Sequence, residues 1–217
     1  MTTTAAFATF AAILCSPAFG QAAADKDAQA QMKGLAPRAT PGDYQAQIKV
    51  GAVTIAAEFA GHAVPTPEAI YSTEDYVVVE LALFGAADAT AKIAFNDFSL
   101  RINGKPMATP CEPYARSFAS LKDPEWEPPA SESKAGKTSL GGSGGQNDPP
   151  PSTPKMPFGL KRTMQLRVQK AALPEGDRVL PVAGLIFFNF HGKAETIRTV
   201  ELVYDGAAGK TTLPLHP

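Results

Sequence analysis

Residues 121–155, "LKDPEWEPPASESKAGKTSLGGSGGQNDPPPSTPK", restrict this chain more than any other stretch. After Leu121 the stretch holds almost no aliphatic side chain except Leu140, and Pro, Gly and Ser cannot build a core. It divides the chain, yet the roughly 60 residues behind it are too few to fold alone without staples. The halves are therefore expected to share one core, with residues 127–154 a mobile insertion in a single domain of residues 43–217.

The strand signals on both sides support that expectation. In "DYVVVELALFG", Val77, Val79, Leu81 and Leu83 alternate with Tyr76, Val78, Glu80, Ala82 and Phe84, and the first set is the expected core face. "NDFSLRINGK" puts Phe98, Leu100 and Ile102 on one side, and its Asn103-Gly104 is a hairpin turn signal. "YQAQIKVGAVTIAAEFAG" reads as one or two strands bent at Gly51, stopped by Pro65 and Pro67. Behind the insertion, "AGLIFFNFHGK", "ETIRTVELVYDG" and "GKTTLPL" are strands, with Val200, Leu202 and Tyr204 on one face. The one convincing helix follows Pro157, with a stripe of Leu160, Met164, Val168 and Ala171 and a stop at Pro174 and Gly176. Its cations, Lys161, Arg162, Arg167 and Lys170, are read as a solvated surface. About seven strands and one helix in a connection, without βαβ alternation, predict a mainly β, antiparallel sandwich of immunoglobulin type, with a shallow barrel as the alternative.

"DYVVVELALF", "NDFSLRINGK" and "GLIFFNFHGKAETIRTVELVYDG" resemble uncharacterised exported bacterial proteins with an immunoglobulin-like, or telokin-like, β-sandwich. The resemblance covers residues 44–121 and 158–215, and the Gly/Pro-rich insert departs from it. It implies export and protein contact in the envelope, and it brings no catalytic residues.

The N-terminus points to the same compartment. Residues 1–20, "MTTTAAFATFAAILCSPAFG", carry no charged side chain, hold an apolar run from Ala5 to Cys15, and end in small residues ahead of Gln21. This reads as a signal peptide of an exported protein, periplasmic or secreted. Leu14 before Cys15 and Ala12 at the third position depart from a lipobox. Removal of the signal leaves Cys111 as the sole cysteine, so packing must supply stability. Residues 21–42, rich in Ala, Gln and charge, read as a flexible leader.

Composition names no partner by charge, since a formal net charge of −1 draws the chain neither to nucleic acid nor to an anionic membrane. Two Gly-Lys-Thr triplets invite a phosphate-loop reading, but the required first Gly is Ser131 in one copy and Tyr204 in the other. "DGAAGK" is then a hairpin turn. No cofactor is expected. His62, His191 and His216 have no metal spacing and read as loop, turn and terminal residues, and "GGSGG" is compositional rather than a nucleophile turn. "STEDY" reads as a polar turn entering a strand, and "KDPEWEPP" as a solvated acidic loop. Tyr114, Phe118 and Trp126 are the candidate contacts for a ligand or partner.

The resulting expectation is a non-enzymatic interaction or structural module of the envelope, contacting another envelope protein or a glycan. A carbohydrate-binding module with exposed, coplanar aromatic rings is the alternative, and an envelope hydrolase ranks last.

Overall fold

The computed structural model describes residues 33–128 and 155–217. Of the expected insertion only residues 127 and 128 are described, and both the expected signal peptide and residues 21–32 of the expected leader lie outside the described residues.

The fold is mainly antiparallel β. An eight-stranded sheet is built, in spatial order, from β1 (Ala46–Val50), β2 (Val53–Gly61), β5 (Tyr76–Phe84), β11 (Val182–Asn189), β8 (Thr109–Glu112), β7 (Phe98–Ile102), β12 (Val200–Gly206) and β13 (Gly209–Leu215). A short sheet of β3 (Ala63–Pro65), β4 (Ile70–Thr73) and β9 (Leu121–Lys122), and a ribbon of β6 (Thr90–Ile93) with β10 (Gly176–Val179), complete it. Among the described residues one α-helix, α1 (Phe158–Ala171), stands between β9 and β10. Among the described residues no helix is long and apolar enough to cross a membrane.

Strands from before and after the insertion alternate in one sheet. β11 pairs with β5, placing Ile186 opposite Val79, and β12 pairs with β7, placing Leu202 opposite Leu100. β8 is the corner. It meets β11 through Phe187–Glu112 and Phe188–Cys111, and β7 through Ser99–Pro110 and Leu100–Thr109. The sheet curls there until its edges nearly meet in a barrel-like arrangement, and the Gln45 side chain donates to the His216 carbonyl at 2.6 Å beside that seam. Lys49 on β1 and Pro214 on β13 guard these edges, because a lysine and a residue without N–H both discourage further pairing.

The principal core fills the inside of the curl with Val77, Val79, Leu81 and Leu83, the expected face of β5, together with Phe98, Leu100, Ile186, Phe188, Val200, Leu202 and Leu213. The other face of β5 is covered as well. Tyr76 and Val78 join Leu185 and Phe187 of β11 under Met164, Val168 and Ala171 of α1, and Val64, Tyr71 and Leu121 of the short sheet. Leu160, the fourth member of the expected helical stripe, is 37% exposed. The strands missed in the sequence, β3, β4, β6, β8, β9 and β10, are two to four residues long and are held by neighbours rather than by their own pattern.

One expectation is corrected. Residues 33–42 are docked rather than a flexible leader: the Leu35 N–H donates to the Ala183 carbonyl at 2.9 Å. Small residues, Ala56, Ala82 and Ala183, make room for this approach beneath Tyr44. Arg38 reaches Glu58 at 2.5 Å and Glu80 at 3.1 Å, and lies 4.4 Å above the Tyr44 ring. Nothing in the local sequence marks these long-range partners.

Gly184 permits another close approach. A Cβ there would lie 2.4 Å from the Leu173 Cα and 2.5 Å from its nitrogen, where the Leu173 N–H donates to the Leu185 carbonyl. Backbone cannot yield as a side-chain tip does, so Gly184→Val is expected to lower stability by about 3 kcal/mol. Gly159→Ala, with open space around its Cβ on α1, is expected to raise it by a few tenths. Urea midpoints measure both, and a neutral Gly184→Val would contradict the packing.

Candidate functional site

Chemistry-bearing side chains gather where β11 runs into β12. The connection begins at Phe190, passes a short 3-10 turn at Ala194–Thr196, and is pinned by buried Ile197. Asn103, from the turn after β7, holds it from one side. Its Nδ2 donates to the Thr196 carbonyl at 2.8 Å, and its Oδ1 accepts the N–H groups of Arg198 and Thr199 at 2.7 and 3.3 Å. Asn103 and Gly104 both adopt positive φ, 54° and 65°, which these two residue types tolerate best. The hairpin signal in the sequence is therefore also a clamp on a distant loop.

Residues 73–75 hold the opposite side. The Phe190 N–H donates to the Asp75 carbonyl at 2.8 Å, and His191 Nδ1 lies 3.0 Å from Asp75 Oδ1. His62 joins the same two segments, with Nδ1 2.9 Å from the Thr73 carbonyl oxygen and Nε2 2.9 Å from that of Gly192. An imidazolium donates to both, whereas a neutral ring donates to only one. The Phe190 ring stands 6.0 Å from the His62 ring.

This pinned connection forms a ridge between two open clefts. One, of about 460 Å3, is lined by Asn103, Lys105, Met107, Phe190, His191 and Thr196 among others. The second, of about 570 Å3, is lined by His62, Ser72, Glu74, Lys122, Lys193 and Glu195 among others. Glu74 and Lys122 are paired with each other there. Lys193 and Glu195 project into solvent, so the ridge offers both signs of charge.

Comparison with protein-family models, with curated proteins and with solved structures finds no match. The residues themselves carry the functional reading.

The sequence-derived contact residues lie elsewhere. Tyr114 and Phe118 occupy the 3-10 turn Tyr114–Ala119, half-buried against the cluster beneath α1. Their rings are 5.6 Å apart and inclined at 60°, so they meet edge to face and share no plane. Burial pushes the Tyr114 phenol above its ordinary range. Trp126 is half-buried in a local turn whose N–H donates to the Asp123 carbonyl at 3.2 Å, and it joins neither ring. Asp123 Oδ1 accepts the Glu125 N–H at 3.0 Å, which explains the acidic spacing as turn chemistry. Among the described residues no group of three His, Cys, Asp or Glu is disposed to hold a metal ion.

The Gly-Lys-Thr of residues 209–211 lies in β13, across a hairpin in which Gly206 faces Gly209 and Lys210 Nζ meets Asp205 at 2.7 Å. The earlier Gly-Lys-Thr and "GGSGG" lie outside the described residues. "STEDY" is the turn from β4 into β5, and the sequence did not disclose that its Asp75 anchors His191. His191 was legible only as a turn residue, because its partner lies 116 positions away.

Cys111 is buried on β8, and burial pushes its thiol up to about 12. Above pH ~9 the unfolded chain loses a proton that the folded chain keeps, so stability falls as pH rises toward 12, by about 1.4 kcal/mol per unit. The phenols of Tyr44, Tyr76 and Tyr114, also raised by burial, tilt the curve the same way. The difference from Cys111→Ala isolates the thiol: between pH 8 and 10 the parent is expected to lose about 1 kcal/mol more than the variant. Equal losses would show a thiol that ionises freely in the fold.

Proposed function

We propose that this chain is an exported, non-catalytic interaction module of the cell envelope, and that its contact end is the ridge of residues 190–196 with its two clefts. One observation carries the reading. Asp75, His62 and Asn103, from three separate connections, hold this loop by side-chain and backbone hydrogen bonds before any partner arrives. Such preorganisation lowers the ordering cost of association, and clefts lined by apolar and charged groups suit a protein partner.

Export is the reading of residues 1–20, and an immunoglobulin-like sandwich is the finer reading of the fold. The sandwich is supported by the way the β5–β11 flank and the β7–β12 flank of the curled sheet face one core. The His191–Asp75 pair has the orientation of an acid–base dyad, but both groups are largely exposed, and among the described residues no hydroxyl or thiol is hydrogen-bonded to His191. The inclined Tyr114 and Phe118 rings lend no support to a glycan platform.

Site-specific photocrosslinking tests the contact end. A photoreactive residue at Lys193, expressed in the native envelope, is expected to yield a discrete adduct, while the same probe at exposed Lys49 on β1 does not. No adduct at position 193, or equal adducts at both, would overturn the assignment. Mass analysis of the exported protein is expected to find an N-terminus near Gln21; a cytoplasmic protein retaining Met1 would overturn export.

A further inference from the structure

We infer that the outward face of α1 is a docking surface for an anionic lipid bilayer. Met164, Val168 and Ala171 turn one side of the helix into the fold, at 1%, 0% and 1% exposure. Four-residue steps advance only about 40° around a helix, so Phe158, Arg162, Leu166 and Lys170 form a single ridge on the side away from that stripe. All four are exposed, Phe158 at 80% and Leu166 at 38%. Apolar and cationic side chains therefore alternate along the outer face of the helix.

Three further features define the occupant. The helix contains no Asp or Glu, and among the described residues Lys161, Arg162 and Lys170 take part in no ion pair. Arg167 is set apart from the ridge, donating to the Tyr71 hydroxyl at 2.7 Å on a flank near Glu68 and Asp123. Cations draw a helix to anionic headgroups, and a large exposed ring at the end of the ridge, with a leucine between the cations, gains by entering the acyl boundary, which an acidic polypeptide in water does not offer. A second copy of the same ridge would set Arg162 and Lys170 against like charge. With a net charge of −1 the whole chain exerts no such pull, so attraction would be local to this face. The helix is 14 residues long and would lie on the bilayer rather than cross it.

Cosedimentation of the full chain with vesicles tests this, comparing phosphatidylcholine alone with a mixture containing phosphatidylglycerol. Partitioning is expected to rise about tenfold with the anionic lipid and to collapse in high salt. Arg162→Glu with Lys170→Glu should abolish the lipid preference, and Phe158→Ser with Leu166→Ser should weaken binding several-fold. Both pairs should keep the parent's Tm, because all four side chains are exposed. Equal binding of the parent to the two vesicle types overturns the inference. So does binding to soluble poly-glutamate that matches vesicle binding and ignores the Phe158 and Leu166 changes, which would mark an acidic polypeptide site. None of these substitutions touches residues 190–196, so the outcome is independent of the crosslinking result.

Discussion

A chain cut once at a protease site engineered between residues 129 and 154 is expected to remain one particle and to unfold in one transition. The strand order requires it. β5 and β7 lie before the cut, while β11 and β12, their partners, lie after it, and β10 completes a ribbon with β6 across the same divide. The main core draws Val79 and Leu100 from the first part and Ile186 and Leu202 from the second. Each part alone would leave an apolar sheet face open to water, at about 25 cal/mol per Å2. Separated in denaturant, neither part should regain a cooperative transition, and mixing them during refolding should restore it. Two fragments that part and remain folded would mean that the insertion joins two domains. Because closing a long loop adds only a slowly growing entropic cost, the cut should change the midpoint far less than the loss of either half.

Phe187→Ala and Phe188→Ala are each expected to cost about 3–5 kcal/mol, a large part of the margin of an ordinary domain. These neighbours point to opposite sides of β11. Phe188, at 0% exposure, fills the inside of the curl, and Phe187, at 1%, supports α1 on the outside. A sheet with one solvated face would make one of them nearly silent. Denaturant unfolding monitored by circular dichroism measures both, with Lys49→Ala on β1 as a surface control expected within about 0.5 kcal/mol. A small effect at Phe187 would mean that the helical layer adds little to the fold.

The amino-acid sequence by itself determined the elements whose pattern is local. Alternation at Val77 to Leu83 and at Phe98 to Ile102 specified strands and their inner faces, Asn103-Gly104 and "DGAAGK" specified turns, and Met164, Val168 and Ala171 specified the buried side of the helix. These signals survive because they span a few residues, and side-chain periodicity fixes a face wherever a core exists. The near-continuous apolar run of β5 also held a sign that both of its faces are covered, as alternation alone does not require Val78.

Tertiary structure decided what depends on distant partners. The docking of Leu35 on Ala183 and of Arg38 on Glu80 turned part of an apparent leader into a layer of the fold. Tyr114 and Phe118 look like surface aromatics in sequence, and only the packing beneath α1 tilts them against one another. The candidate contact end is the extreme case. His62, Asp75, Asn103 and His191 belong to four connections with no common motif, and they converge because β5 pairs with β11, β7 pairs with β12, and each pairing carries its loops to the ends of the sheet. Sequence periodicity specifies which face of a strand is buried. Which loops become neighbours follows from strand order, which is set by the free energy of the whole core and is written in no single segment.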